Sequence, residues 1–99
     1  MYVRTVTFRL QGIDEPEYLS HVAPIAPSFL DWPGLRTKTW IRDRETGRYG
    51  GVYVFESRDA ADASRDTPLF SGMIANPAFV DLVIQEFEVI EELTALTTG

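Results

Sequence analysis

At 99 residues the chain suits one domain and leaves no room for two, and its 44% hydrophobic content is that of a globular protein. Fifteen acidic against nine basic residues give a formal charge of −6, which disfavours a nucleic-acid partner. The lack of cysteine removes disulfides, thiolate metal sites and cysteine nucleophiles together.

Along the chain, residues 2 to 11 alternate, with Val6, Phe8 and Leu10 on one face and Thr5, Thr7 and Arg9 on the other, and predict a strand buried on one side. Gly12 ends it. Asp14 is placed to cap a helix whose first turn holds Glu15, Pro16 and Glu17. The stripe Tyr18, Leu19, Val22, Ile25, Ala26, Phe29, Leu30 keeps helical spacing across Pro24, so one kinked helix is expected as far as Trp32-Pro33-Gly34. Strands over Leu35 to Arg42 and Tyr49 to Glu56 flank a turn at 43–48, in which Gly47 can take positive φ. Ser57 caps a short helix through Ala60, Ala61 and Ala63. Thr67-Pro68 opens a second helical stub holding Leu69, Phe70, Met73 and Ile74. After Asn76-Pro77 a last strand runs from Phe79 to about Glu91. No apolar run approaches the roughly 18 residues that cross a bilayer. Met1-Tyr2-Val3-Arg4-Thr5 lacks the apolar stretch of a secretory signal. A cytoplasmic protein without membrane contact is therefore expected.

The order β-α-β-β-α-β is the split βαβ arrangement of ferredoxin-like α+β folds, here one domain over residues 1–99. An antiparallel four-stranded sheet of this kind carries its helices on one face. Yet Val52 and Val54 oppose Tyr53 and Phe55, and Leu82 and Ile84 oppose Val83, Phe87 and Val89. Strands apolar on both faces need cover on both. The helices are already used, so a second copy of the chain is expected on the other face. Five of the nine basic residues (Arg36, Lys38, Arg42, Arg44, Arg48) fall in thirteen positions, while Glu86, Glu88, Glu91 and Glu92 crowd the far end. A solvated hairpin facing an acidic neighbouring strand is the expected reason. A positive lip over a pocket for an anionic ligand is the alternative.

His21 is the only histidine and the one group able to act as a base near neutral pH. Its plainer use is a hydrogen bond at a helix edge. There is no Gly-x-Ser-x-Gly elbow, and one histidine cannot make a structural zinc site, although it could hold a haem iron. Lys38 and Trp40 share a strand face. They form either a lysine stem lying on an indole or a pocket wall with a fixed positive charge. Tyr49 and Tyr53 add phenols to one face of the third strand, which core packing explains equally well. Gly50-Gly51 lacks the spacing and the following helix of a dinucleotide site, and marks a bulge or a close approach to the backbone.

Pro33-Gly34-Leu35, Lys38-Thr39-Trp40 and the run Glu45-Thr46-Gly47-Arg48-Tyr49-Gly50-Gly51-Val52-Tyr53-Val54-Phe55-Glu56 resemble the YdhR-like mono-oxygenases. That family belongs to the dimeric α+β barrel superfamily, with the antibiotic-biosynthesis mono-oxygenases. The likeness continues in weaker form over nearly the whole chain. It implies a homodimer whose sheets meet as a barrel, and a mono-oxygenase that uses no cofactor or metal on a small aromatic or polyketide-like ligand. In that reading Trp40, Tyr53 and Phe70 form the aromatic pocket, His21 is the base, and Lys38 or Arg36 supplies the positive charge. A non-catalytic ligand-binding or stress-related dimer, or an isomerase or cyclase on the same scaffold, are the alternatives. Where relatives often carry an aromatic residue before the lysine, this chain has Thr37. A roomier or more polar pocket is expected if that position faces the cavity.

Overall fold

A computed structural model describes residues 1–99. Four strands, β1 (Tyr2–Leu10), β2 (Leu35–Asp43), β3 (Arg48–Phe55) and β4 (Phe79–Glu88), form one antiparallel sheet in the order β2-β3-β1-β4. This is the ferredoxin-like arrangement. Between β1 and β2 lie helix α1 (Glu15–Val22) and a 3-10 helix (Ala26–Asp31). Helices α2 (Arg58–Ser64) and α3 (Pro68–Ala75) join β3 to β4, and a one-turn α4 (Glu91–Thr94) follows.

The helix starts follow from their caps. The Glu17 N–H donates to Asp14 Oδ1 at 2.9 Å and the Asp14 N–H donates to Glu17 Oε1 at 3.2 Å, a reciprocal capping box. Ser57 accepts from the Ala60 N–H, and Thr67 from the Phe70 N–H. The kinked first helix is corrected: it is two separate pieces. Pro24 and Pro27 carry no N–H, so neither can donate an i→i−4 bond, and the chain tightens into i→i−3 bonds such as Ile25 to Val22 and Ser28 to Ile25. The last strand stops at Glu88 rather than near Glu91, where α4 begins.

One face of the sheet packs on the helices. Val6 and Phe8 of β1, Tyr49, Tyr53 and Phe55 of β3, with Tyr18, Trp32 and Phe70 from the helical layer, are buried there. Arg4 sits on this face too, only 1% exposed. Its guanidinium donates to Glu86, Ser64 Oγ and the Ala61 carbonyl at 2.7–2.8 Å and lies 5.0 Å from the Phe55 ring centroid, so the buried charge is fully partnered. The other face carries no helix. Register aligns Val54, Val3 and Phe87 across three strands, and Thr7 with Val83. Phe87 is 53% and Val83 46% exposed.

The basic hairpin does not face the acidic strand, because β2 and β4 are opposite edges of the sheet. Its arginines find other partners. Arg42 and Arg44 converge on Glu15 of α1, Arg36 pairs with Glu56, and Arg48 donates to Thr7 and to the Asp81 carbonyl. Hydrogen bonding from Arg44 above all holds the Glu15 carboxyl down at about 2; burial opposes this, while Tyr49 and Arg42 reinforce it. Asp81 takes φ 53° beside the register shift between Thr7 and Arg9, where β4 bends away from β1.

Candidate functional site

Between the sheet and the helices lies a cavity of about 330 Å³, partly open to solvent and mostly apolar. Its floor is the middle of β1 and β3, where Val6 stands opposite Gly51. The floor is flat because two glycines lie there. A Cβ at Gly50 would come within 1.8 Å of the Val6 carbonyl oxygen, so the strands can approach only without a side chain. A Cβ at Gly51 would lie 2.9 Å from Lys38 Cε. The Gly51 surface is the bed for the lysine stem. Both observations make this pair a place of close approach, one of the two uses expected for it, and the pairing of β3 with β1 and β2 runs through both residues without a shift.

Lys38 turns inward from the edge strand. Its Nζ lies 3.5 Å from the centroid of the Phe29 ring, 3.6 Å from Trp40 and 4.7 Å from Tyr53. Phe29 and Trp40 meet edge to face at 5.7 Å, and Tyr53 stacks on buried Trp32 at 6.0 Å, so the walls of this cage are themselves braced. Lys38 takes part in none of the ion pairs that occupy its neighbours Arg36, Arg42 and Arg44. Ring faces favour an ammonium by roughly 0.5–2 kcal/mol each, whereas removing a charge from water costs several kcal/mol. Burial wins, and the amine is pulled down from 10.5 to about 7.

Two tyrosines complete the electrostatics. Burial, with a smaller contribution from Tyr49, pushes the Tyr18 phenol up to about 12. Burial pushes Tyr53 higher still, against the pull of Arg4. Both are neutral hydrogen-bond donors at neutral pH. Phe79, stacked on Phe8 at 4.2 Å, closes the far end, and Leu69 and Met73 of α3 roof the space. The arrangement suits a flat, largely apolar molecule that carries one or two oxygens to meet the amine and the phenols.

Of the six residues singled out in the sequence, His21, Lys38, Trp40 and Tyr53 line this one cavity, His21 at its exposed rim. Two do not. Arg36 is corrected to an exposed partner of Glu56 at 3.3 Å, because it is the extra residue at the register shift between Leu35 and Thr37, which takes it off the face that Lys38 and Trp40 share. Phe70 is corrected to a packing residue under the Arg4 and Arg65 guanidiniums, each 5.2 Å from its ring centroid. Thr37 pairs with Val54 on the bare sheet face, so it leaves the pocket's size and polarity unchanged. Phe29 was overlooked. It read as one more member of a helical stripe, and only the break at Pro24 aims it at Lys38. Tyr18, Leu69 and Met73 also read as core, since an apolar wall and an apolar core carry the same sequence signal.

The family described as "Putative mono-oxygenase ydhR" matches residues 3–99. No curated protein is similar enough in sequence to match. Solved structures share the fold at low identity. The haem degrader MhuD from Mycobacterium tuberculosis, with two haems bound in its active site, is 24% identical with a TM-score of 0.73, over 91% of this chain and 96% of that one. SnoaB from Streptomyces nogalater, a cofactor-independent oxygenase seen as its N63A mutant, is 23% identical with a TM-score of 0.72, over 90% and 92%. A protein from Deinococcus radiodurans described as a "putative antibiotic biosynthesis monooxygenase" is 15% identical with a TM-score of 0.75, over 90% and 92%.

Proposed function

The chain belongs to the ydhR mono-oxygenase family, and from that premise we propose that its cavity is the site of a cofactor-independent mono-oxygenation of a small aromatic substrate. One observation carries the reading: an amine, two neutral phenols and an imidazole line a single aromatic-walled chamber. Such chemistry needs a substrate whose own anion is electron-rich enough to react with O₂. An activated methylene between aromatic or carbonyl groups meets that need. His21 at the rim takes the proton. Lys38, or the Tyr18 and Tyr53 hydroxyls, hold the oxygen on which the negative charge collects. Apolar walls keep water from competing for the anion. The methylene carbon adds O₂ and the O–O bond then breaks, so R₂CH₂ and O₂ give R₂C=O and H₂O. Two copies of the chain, packed through the bare face of the sheet, form the working unit.

A haem in the same chamber is the second reading, favoured by His21 on its lining and by the haem-degrading relative. The residues fit it poorly. His21 is the one nitrogen ligand at the rim, and Lys38, the remaining cation on the lining, is caged by rings rather than free to meet a haem carboxylate. The test is oxygen uptake with anthrone, a tricyclic ketone with an acidic methylene, under ¹⁸O₂. One O₂ consumed per ketone formed, with one labelled oxygen retained and a loss of at least ten-fold in His21→Ala, is expected. Product formation at the uncatalysed rate, or only after haem is added, contradicts it.

A further inference from the structure

Lys38 is the only lysine in the chain; the other eight basic side chains are arginines. The distinction is chemical, because an arginine stays charged under all ordinary conditions, whereas a lysine can lose its proton and become a nucleophile. The surface arginines of the hairpin are matched to Glu15 and Glu56. The lysine instead points into the molecule, with three ring faces within 4.7 Å of Nζ and no carboxylate to hold it as an ammonium. Gly51 gives its stem room to lie flat. The reactive atom is thus fixed at one wall of a chamber of about 330 Å³ whose other walls are mostly apolar. A structural lysine at an edge strand would place its ammonium in water and only its stem on the indole. Here the head is the part that is enclosed.

We infer that Lys38 is a carbonyl-capturing amine, which condenses with an aromatic aldehyde or ketone seated in the cavity to form a Schiff base. The nitrogen lone pair attacks the carbonyl carbon, and the carbonyl π pair moves to oxygen, which takes up a proton. Nitrogen gives up a proton, and the protonated hydroxyl then leaves as water, so amine and carbonyl give imine and H₂O without oxidant or reductant. Tyr53, whose ring forms one side of the cage, and His21 at the rim are the proton-bearing groups that face this chemistry. The aromatic cage that surrounds an ammonium surrounds the planar aryl iminium equally well. This activity rests on the cavity being a ligand site and not on any reaction with O₂. Capture can therefore succeed where oxygen uptake fails, and the reverse.

The experiment is reductive trapping. The full chain is incubated at pH 7.5 with 2-naphthaldehyde and sodium cyanoborohydride, and the site of the naphthylmethyl adduct is mapped by peptide mass spectrometry. The chain's own α-amino group, exposed and paired with Glu91, is the internal standard. Adduct at Lys38 is expected to form at least ten-fold faster than at Met1, to saturate with aldehyde, and to fall to the Met1 rate when glyoxylate replaces the apolar aldehyde. Gly51→Ala, which presses on Cε from below, is expected to slow capture at Lys38 several-fold while leaving Met1 unaffected. Labelling confined to Met1 overturns the inference. So does labelling of Lys38 no faster in the folded chain than in the same chain unfolded in urea, a comparison that needs no variant to fold.

Discussion

In the unfolded chain Lys38 titrates at about 10.4, the ordinary value for a lysine. In the folded chain burial holds it at about 7. Between those limits the unfolded state binds one more proton, so stability rises with pH, and below 7 the cost of enclosing an ammonium is present in full. The groups facing the amine from the packed elements are Tyr53 on β3 and Tyr18 and His21 on α1. Burial raises both phenols, which takes stability away above pH 10, so the lysine is read cleanly between pH 6.5 and 9.5. Lys38→Met keeps an apolar stem and removes the charge. It is expected to be more stable than the parent at pH 6.5 in urea titrations, with the advantage shrinking steadily towards pH 9.5. An advantage that is flat across this range contradicts a buried amine. The slope has the same sign at Glu15, whose carboxyl is also lowered: its stabilising bonds to Arg44, Tyr49 and Arg42 are complete above pH 4.5 and are lost as pH falls towards 2.

The strands and caps were legible because each rests on a local signal: period-2 alternation in residues 2–10, Asp14 with Glu17, Ser57, and Thr67 before Pro68. The helical stripe across Pro24 misled because apolar period outlasts hydrogen bonding. Tyr18 and Phe29 stay in phase although the bonds between them change type, and the same residues read as one helix or two. The candidate site was half legible. Lys38 and Trp40 lie two apart on one strand and had to share a face. Phe29 reaches them only through the break, which no spacing rule reports. Arg36 was drawn in by its charge and excluded by the register shift between Leu35 and Thr37, with Glu56 as its partner. Arg4 escaped notice because a charge at a core position reads as surface until Glu86, Ser64 and the Ala61 carbonyl are known to surround it.

For the molecule as a whole, the sheet is covered once and apolar twice. The row Val54–Val3–Phe87 and the neighbouring Val83 form an extended apolar patch, and a surface of that kind marks an interface. A second copy laid sheet to sheet is the expected cover, with a total buried area near the standard of about 1,600 Å². Val54→Asp places a charge at the centre of that face. Sedimentation is expected to show a dimer at micromolar concentration for the parent, and a monomer of lower melting temperature for the variant. A folded monomer in both contradicts the sheet-to-sheet arrangement. The cavity lies on the opposite side of the sheet from this face, so in the proposed dimer each subunit would carry its own chamber. Because the chain has one lysine, that chamber can be read from a single resonance. The ¹³Cε signal of Lys38 is expected to titrate with a midpoint near 7 and to shift on addition of an aromatic ketone. A midpoint near the ordinary value of about 10.4, with no response to the ketone, contradicts an enclosed ligand chamber built around this amine.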